Sequence, residues 1–328
     1  MSEPTPAVVD MMRRLSGDIL ILGVGGKVGP TLALMAARAR EVSGVSRRIL
    51  GVSTYSMPGL RDRLDAAGIE TIRADLLAPG AFDALPDAEN VMYMVGRKFG
   101  TTGAEGATWA TNVFVAGMAA RRYRHSRIVV FSSGNVYPFV PVDSGGATED
   151  TQPDPVGEYG MSCLGRERMF DYAASAFGTP VLQFRLNYAV ELRYGVILDV
   201  ARKVWQGEPV DVTMGHFNAV WQQYVSAVAL QCFESAAAPP RILNVTGPEV
   251  ISVRSLARRL GELLEKNPTI TGEEASVALL ASAAQCHRLF GYPEVSADCL
   301  VEWVAHWVKS GGETWEKPTH FDTRDGKF

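Results

Sequence analysis

A doubly wound α/β fold, a parallel sheet with helices on both faces, is predicted by three observations on this chain of 328 residues. Short apolar runs alternate with helix-forming stretches through the first half, and a glycine-rich turn joins the first run to the first helix. With 47% hydrophobic and 21% charged residues, the chain also has ample material for a core. In chain order, residues 1–17 carry prolines, mixed charge and no long apolar run, and read as a flexible leader rather than a signal or anchor. Asp18-Ile-Leu-Ile-Leu-Gly23 is the first strand, and Thr31 to Arg40, rich in Ala and Leu, is the first helix. Arg48–Ser53, Asn90–Val95 and Ser126–Phe131 read as further buried strands, apolar at their centres as a sheet covered on both faces allows.

The second half loses this alternation. Leu192 to Trp205 is helical after its glycine, Gly207 to Thr213 is a short strand, Phe217 to Val225 leads into a helix, and Arg241 to Thr246 is one more strand. Ser252–Leu264 and Cys299–Val308 show helical periodicity whose apolar stripes are core. The residues after Lys309 read as an irregular arm. A smaller C-terminal α/β lobe follows from this order.

A net charge of -4 gives no footprint for nucleic acid. Cys163, Cys232, Cys286 and Cys299 lie far apart, with neither disulfide density nor metal-site spacing, which fits a reducing cytoplasm. The five histidines form no HExxH or close pair, so no metal is expected. No membrane partner is expected either.

Between the first strand and helix lies Gly23-Val-Gly-Gly-Lys-Val-Gly29. A tight strand-to-helix turn needs residues without Cβ, the backbone must come close to a pyrophosphate, and the helix N-terminus offers N–H groups to it. Gly23, Gly25, Gly26, Lys27, Val28 and Gly29 are therefore the expected cofactor-binding turn of a Rossmann-type domain. NAD recognition usually places an acidic residue at the end of the second strand. Here Ser53 and Thr54 stand there, with Arg61 further on, so NAD and NADP both stay open.

Farther along, Phe131-Ser-Ser-Gly-Asn-Val-Tyr-Pro138 follows a strand, and Glu158-Tyr-Gly-Met-Ser-Cys-Leu-Gly-Arg-Glu-Arg168 opens a helix. With the glycine turn, these motifs make the chain resemble the extended short-chain dehydrogenase/reductase superfamily, of the NAD-dependent epimerase/dehydratase type, from about Asp18 to about Trp307. The resemblance implies that Ser133 orients a substrate oxygen and that Tyr159 trades a proton with it. It places Asp75 and Leu76 at the adenine, Gly96 along the cofactor, and Asn112 under the active-site helix. Asn135, Arg185 and Asn187 fall where such proteins contact substrate. It also implies residues 18–190 with about 220–248 as the dinucleotide-binding domain, and 191–219 with 249–328 as substrate lobe and arm. A homodimer through the helices Thr108–Arg122 and Gly160–Phe177 belongs to the same resemblance. Several of these residues have a structural reading as well: Asp75 as a helix cap, Ser133 as a turn residue, Asn112 as a core hydrogen-bonding group.

The departure lies at Cys163. A phenol with an ordinary pKa of about 10 is a poor base near neutrality. The family places a lysine four residues after the tyrosine, on the same helical face. Lowering a pKa by three units takes roughly 4 kcal/mol, which a neutral thiol does not supply by charge. Three readings follow: another cation substitutes, with Arg166, Arg97 and Lys98 as candidates; the phenol acts only as proton donor or anchor; or the dinucleotide is held without turnover. The leading expectation is an NAD(P)-dependent enzyme acting on a sugar or nucleotide-sugar hydroxyl, with Ser133, Tyr159 and Cys163 at its centre. The alternative is a cofactor-binding regulatory or scaffold protein.

Overall fold

The apolar runs fold into a seven-stranded sheet: β1 Ile19–Leu22, β2 Ile49–Ser53, β3 Glu70–Arg73, β4 Asn90–Tyr93, β5 Arg127–Ser133, β6 Val181–Leu186 and β7 Arg241–Val245. Their spatial order is β7-β6-β5-β4-β1-β2-β3. The ladders β1–β2, β1–β4, β2–β3 and β4–β5 are all parallel, with Leu20 opposite both Leu50 and Val91. The order reverses between β1 and β4, the switch point at which open α/β sheets hold ligands. β1 and β4 are buried along their whole length; β1 is apolar throughout, and Asn90, which opens β4, donates to Ser16 O and Asp18 O.

The helices are α1 Pro6–Arg14, α2 Gly29–Ser43, α3 Leu60–Ala66, α4 Glu105–Trp109, α5 Val115–Arg122, α6 Gly157–Phe177, α7 Val196–Gln206, α8 Gln222–Gln231, α9 Val253–Leu264, α10 Ala284–Phe290 and α11 Ala297–Lys309. The computed structural model describes residues 1–327. None of their helices is long and apolar enough to cross a membrane.

Two compact units result. The first holds Met1–Ser133, Glu158–Arg185 and Ser226–Leu243. Its core joins Leu20, Leu22, Val91 and Tyr93 of the sheet to Phe170 and Ala173 of α6, with Tyr93 and Phe170 edge to face at 5.1 Å. The leader expected to be flexible is here the helix α1. Thr5 caps it by accepting from Val8 N at 3.3 Å, and Val8, Met11 and Met12 are fully buried. Three apolar side chains on one face outweigh the prolines around them.

The second unit holds Gly134–Gly157, Leu186–Val225 and the chain from Asn244 onward. It thus includes the Gly134–Gly157 segment, which the sequence places in the first domain. α7, α9 and α11 pack together through the stripes read from sequence: Val200 and Val204, Leu256 and Leu260, Leu300 and Val304. Ser252 and Ser296 cap α9 and α11. Short ladders complete it, among them Val140–Pro141 with Val277–Ala278 and Val210–Asp211 with Ile270–Thr271.

Candidate functional site

The glycine turn begins where β1 ends. Gly23 has φ +85°, and a Cβ there would meet Val95 N at 2.8 Å; at Gly29 a Cβ would strike the Val24 carbonyl. Packing alone therefore demands these two glycines. Gly26 differs: it is exposed, and its nearest neighbour would be Gly23 O at 3.5 Å, so nothing in the fold forbids a side chain. Its bare backbone leaves the turn open to a close-lying ligand. α2 follows at once, with no side chain capping its first N–H groups, the arrangement that receives a pyrophosphate. Partly exposed Lys27 sits in the same turn.

The far end of β2 carries Ser53, whose hydroxyl accepts from Tyr55 N at 3.3 Å and lies where a Cβ on Gly25 would go. Thr54 is exposed. Arg61 lies against Thr71 at 3.0 Å and Asp65 at 3.8 Å. Asp75 is exposed and accepts from Leu77 N at 3.0 Å, closing its own turn, while the Leu76 side chain belongs to the core.

At the end of β4, a side chain on Gly96 would strike Arg166 Nη2 at 2.7 Å. Arg166 is 5% exposed and donates to Phe131 O at 2.8 Å, Asn112 Oδ1 at 2.9 Å and Asn112 O at 3.4 Å. Asn112 is wholly buried in a turn of π-helix, Ala110–Phe114, between α4 and α5. Its Oδ1 also accepts from Arg97 N at 2.7 Å, and its Nδ2 donates to Arg97 O at 3.0 Å and Ser162 Oγ at 2.8 Å. The asparagine thus ties the loop after β4 to the second turn of α6. π-turns often mark functional sites.

α6 carries the centre. Its buried face reads Ser162, Cys163, Arg166, Glu167, then Phe170, Ala173, Ala174. The spacing is that of a core stripe, yet its first two turns are polar. Tyr159, just above them, keeps some exposed surface, but its hydroxyl is enclosed and hydrogen-bonded to Ser133 and Cys163. Burial lifts the phenol far above the ordinary tyrosine range and Cys163 adds to it; Arg166 and the Ser133 hydrogen bond pull the other way without cancelling. The Cys163 thiol, fully buried, is raised by desolvation as well. Lys98 Nζ lies 5.9 Å from the Tyr159 ring centroid, a cation on the ring rather than on the oxygen. Of the candidate substitutes, Arg97 is turned away, its guanidinium donating to Gly100 O at 2.9 Å.

Arg185, expected among the substrate contacts, is 2% exposed and grips Glu167 with two hydrogen bonds of 2.9 and 2.7 Å; Glu167 also accepts from Ser132 at 2.6 Å. This brace fixes α6 to β5 and β6, next to Ser133 in sequence. Ser132, Ser162 and Glu167 escaped the sequence reading, and the available signal was the polar letters at core spacing on α6. Asn135 and Asn187 stand in the second unit, where a Cβ on Gly134 would meet Asn187 Oδ1 at 3.0 Å.

Fold and site together define a dinucleotide-fold protein in which Ser133, at the end of β5, meets Tyr159 of α6. The chain belongs to the NAD dependent epimerase/dehydratase family, whose sequence model matches residues 19–216. No curated protein sequence matches it. Among solved structures, UDP-glucuronic acid 4-epimerase from Bacillus cereus, in complex with UDP-glucuronic acid and NAD, is 18% identical with TM-score 0.74, covering 89% of this chain and 99% of that one. The dTDP-glucose 4,6-dehydratase DesIV from Streptomyces venezuelae, with NAD bound, is 16% identical with TM-score 0.74, covering 89% and 97%. UDP-glucose 4-epimerase from Thermotoga maritima, with UDP-glucose, is 14% identical with TM-score 0.72, covering 90% and 99%.

Proposed function

We infer that this chain binds NAD and catalyses epimerase- or dehydratase-type chemistry on a sugar carried by a nucleotide. The observation that carries the reading is the Tyr159 hydroxyl, hydrogen-bonded to Ser133 within a unit whose β1 turn is shaped for a dinucleotide. Gly23 to Gly29 and the start of α2 would hold the pyrophosphate, with Gly96 beside the rest of the cofactor. When bound, NAD supplies the capacity to take up or return a hydride.

The chain's own residues handle the proton. Ser133 Oγ fixes the substrate oxygen, and Tyr159 Oη exchanges a proton with it. With its pKa raised, chiefly by burial, the phenol is present almost wholly in its protonated form, the form that carbonyl reduction needs, and is scarce as the base that hydroxyl oxidation needs. Cys163, a thiol where the family carries an ammonium, leaves that balance uncorrected. With Ser53 rather than a carboxylate at the end of β2, no like charge repels a 2′-phosphate, so NADP belongs in every assay beside NAD.

The test is transfer between NAD(H) and a panel of UDP-glucose, UDP-glucuronic acid and dTDP-glucose. Tyr159→Phe is expected to lower the rate by about a hundredfold or more. An unchanged rate sinks the reading. The Cys163–Tyr159 contact favours one second reading, a protein that holds NAD without turnover; binding of NAD with no transfer to any of these sugars would establish it.

Two further assignments accompany this one. Free thiols at all four cysteines support a reducing cytoplasm; secretion of the native protein with a disulfide would contradict it. An apolar groove on the first unit, about 540 Å³, is lined by Trp109, Val113, Phe114, Gly117 and Met169, with Phe114 61% exposed. A second copy of the chain is the occupant assigned to it, as the family resemblance implies. Phe114→Glu should convert a sedimenting dimer to monomer; a monomeric parent chain refutes the assignment.

A further inference from the structure

Residues 310–327 wrap the second unit without helix or strand. Trp315 N bonds Arg193 O at 3.1 Å, and the Trp315 ring takes the Arg193 guanidinium at 5.0 Å. Asp199 Oδ2 on α7 accepts from both Thr319 N and Thr319 Oγ1, at 2.7 and 2.6 Å. Lys203 reaches Asp322 at 3.5 Å, and Phe321, 3% exposed, packs 6.1 Å from the Phe217 ring.

From this anchor the last turn folds over one spot. Arg324 donates to Val277 O at 3.0 Å and lies over the Phe139 ring at 4.7 Å. Gly326 (φ +72°) is pressed so closely on Gly157 that a Cβ on it would lie 2.6 Å from Gly157 Cα. Beneath this turn is a cavity of about 20 Å³, walled by Asn135, Tyr137, Tyr188 and Leu279 on one side and by Thr323 and Gly326 on the other. That volume holds about one water, whereas ligand pockets measure about 300–1,000 Å³.

The position of this spot in the chain gives the contact meaning. Asn135 follows Ser133 by two residues, and Gly157 precedes Tyr159 by two. The segment that leaves the catalytic serine and returns to the catalytic tyrosine is thus covered at both ends by the same turn.

We propose that Phe321–Lys327 is a plug that closes the substrate side of the second unit and must withdraw before a sugar is held there. The plug rests on the substrate role assigned above to Asn135. Its grip is suited to reversal: one aromatic anchor, one partly exposed ion pair, one guanidinium on a ring and a few hydrogen bonds, beside helices that are well packed. Withdrawal would remove two walls of the cavity at once.

Accessibility of the cavity tests the plug without any substrate. A reporter thiol, Asn135→Cys, is labelled with a maleimide and its modification followed by peptide mass. Labelling at 135 is expected to be about tenfold faster or more in Arg324→Ala, and faster still in a chain ending at Pro318, than in the chain with an intact arm. Equal rates overturn the proposal. If the shortened chain does not fold, Arg324→Ala decides alone. Calorimetry with UDP-glucose in the presence of NAD then separates the two ideas. Faster labelling without sugar binding by either protein leaves the plug standing and removes the nucleotide-sugar reading; sugar binding that leaves hydrogen exchange at 321–327 unchanged or slower overturns the plug.

Discussion

At the scale of single residues, the protein turns on one exchange, a thiol for an ammonium at position 163. The Tyr159 phenol accordingly stays protonated across the neutral range, because burial and Cys163 raise it by more than Arg166 and the Ser133 hydrogen bond bring it down. A base whose pKa lies well above the assay pH is present as a fraction that grows tenfold per pH unit. Oxidation of a sugar hydroxyl should therefore rise about tenfold per unit from pH 6 to 9 without levelling, while carbonyl reduction stays nearly flat. In Cys163→Lys the oxidative profile should level off at lower pH. Initial rates in both directions on parent and variant decide it: a plateau near neutrality in the parent chain would mean that a nearby cation, Lys98 or Arg166, already does the lysine's work.

At the scale of elements, α6 is held to the sheet by charge where a core helix would use only packing. Glu167 and Arg185 form a buried pair of 2.7 Å, both almost without exposure, and removing one partner of such a pair strands the other. Glu167→Gln should cost about 3–5 kcal/mol, read as a lower urea midpoint, whereas a surface pair such as Arg259–Glu262 should be near neutral when broken. The helix itself was legible from Tyr159 onward, and so were the glycine turn and Ser133, because they are local patterns. β3 was not, since Glu70-Thr-Ile-Arg73 is an edge strand with exposed ends and little apolar signal. The π-turn at Ala110–Phe114 was hidden in a longer helical run, because its single extra residue answers to Asn112's partners in distant loops rather than to its own letters. The Arg185–Glu167 pair was likewise unreadable, as its partners lie on different elements and meet only through the sheet.

At the scale of the whole molecule, buried acids that stay protonated link stability to pH. Tyr55 and Tyr123 are pushed up to about 12, Cys286 to about 12, and Tyr93, Tyr159, Tyr188, Tyr194 and Cys163 upward as well, burial being the main cause in every case. Below the unfolded values, 9.0 for the thiols and 10.0 for the phenols, folded and unfolded chains both hold these protons and folding is indifferent to pH. Above them the unfolded chain releases protons that the folded chain keeps, so stability falls as pH rises toward the folded values. Each group contributes a slope of up to about 1.4 kcal/mol per pH unit. Urea midpoints under reducing conditions should thus hold level from pH 7 to 8.5, begin to drop near 9 as the thiols enter, and drop more steeply beyond 10. Tyr159→Phe removes one contributor from the middle of the site, so its midpoint should decline less steeply above pH 10 than that of the parent chain. An identical decline would mean that Tyr159 ionises in the folded protein as readily as in the unfolded one, and the enclosed, protonated phenol would be wrong.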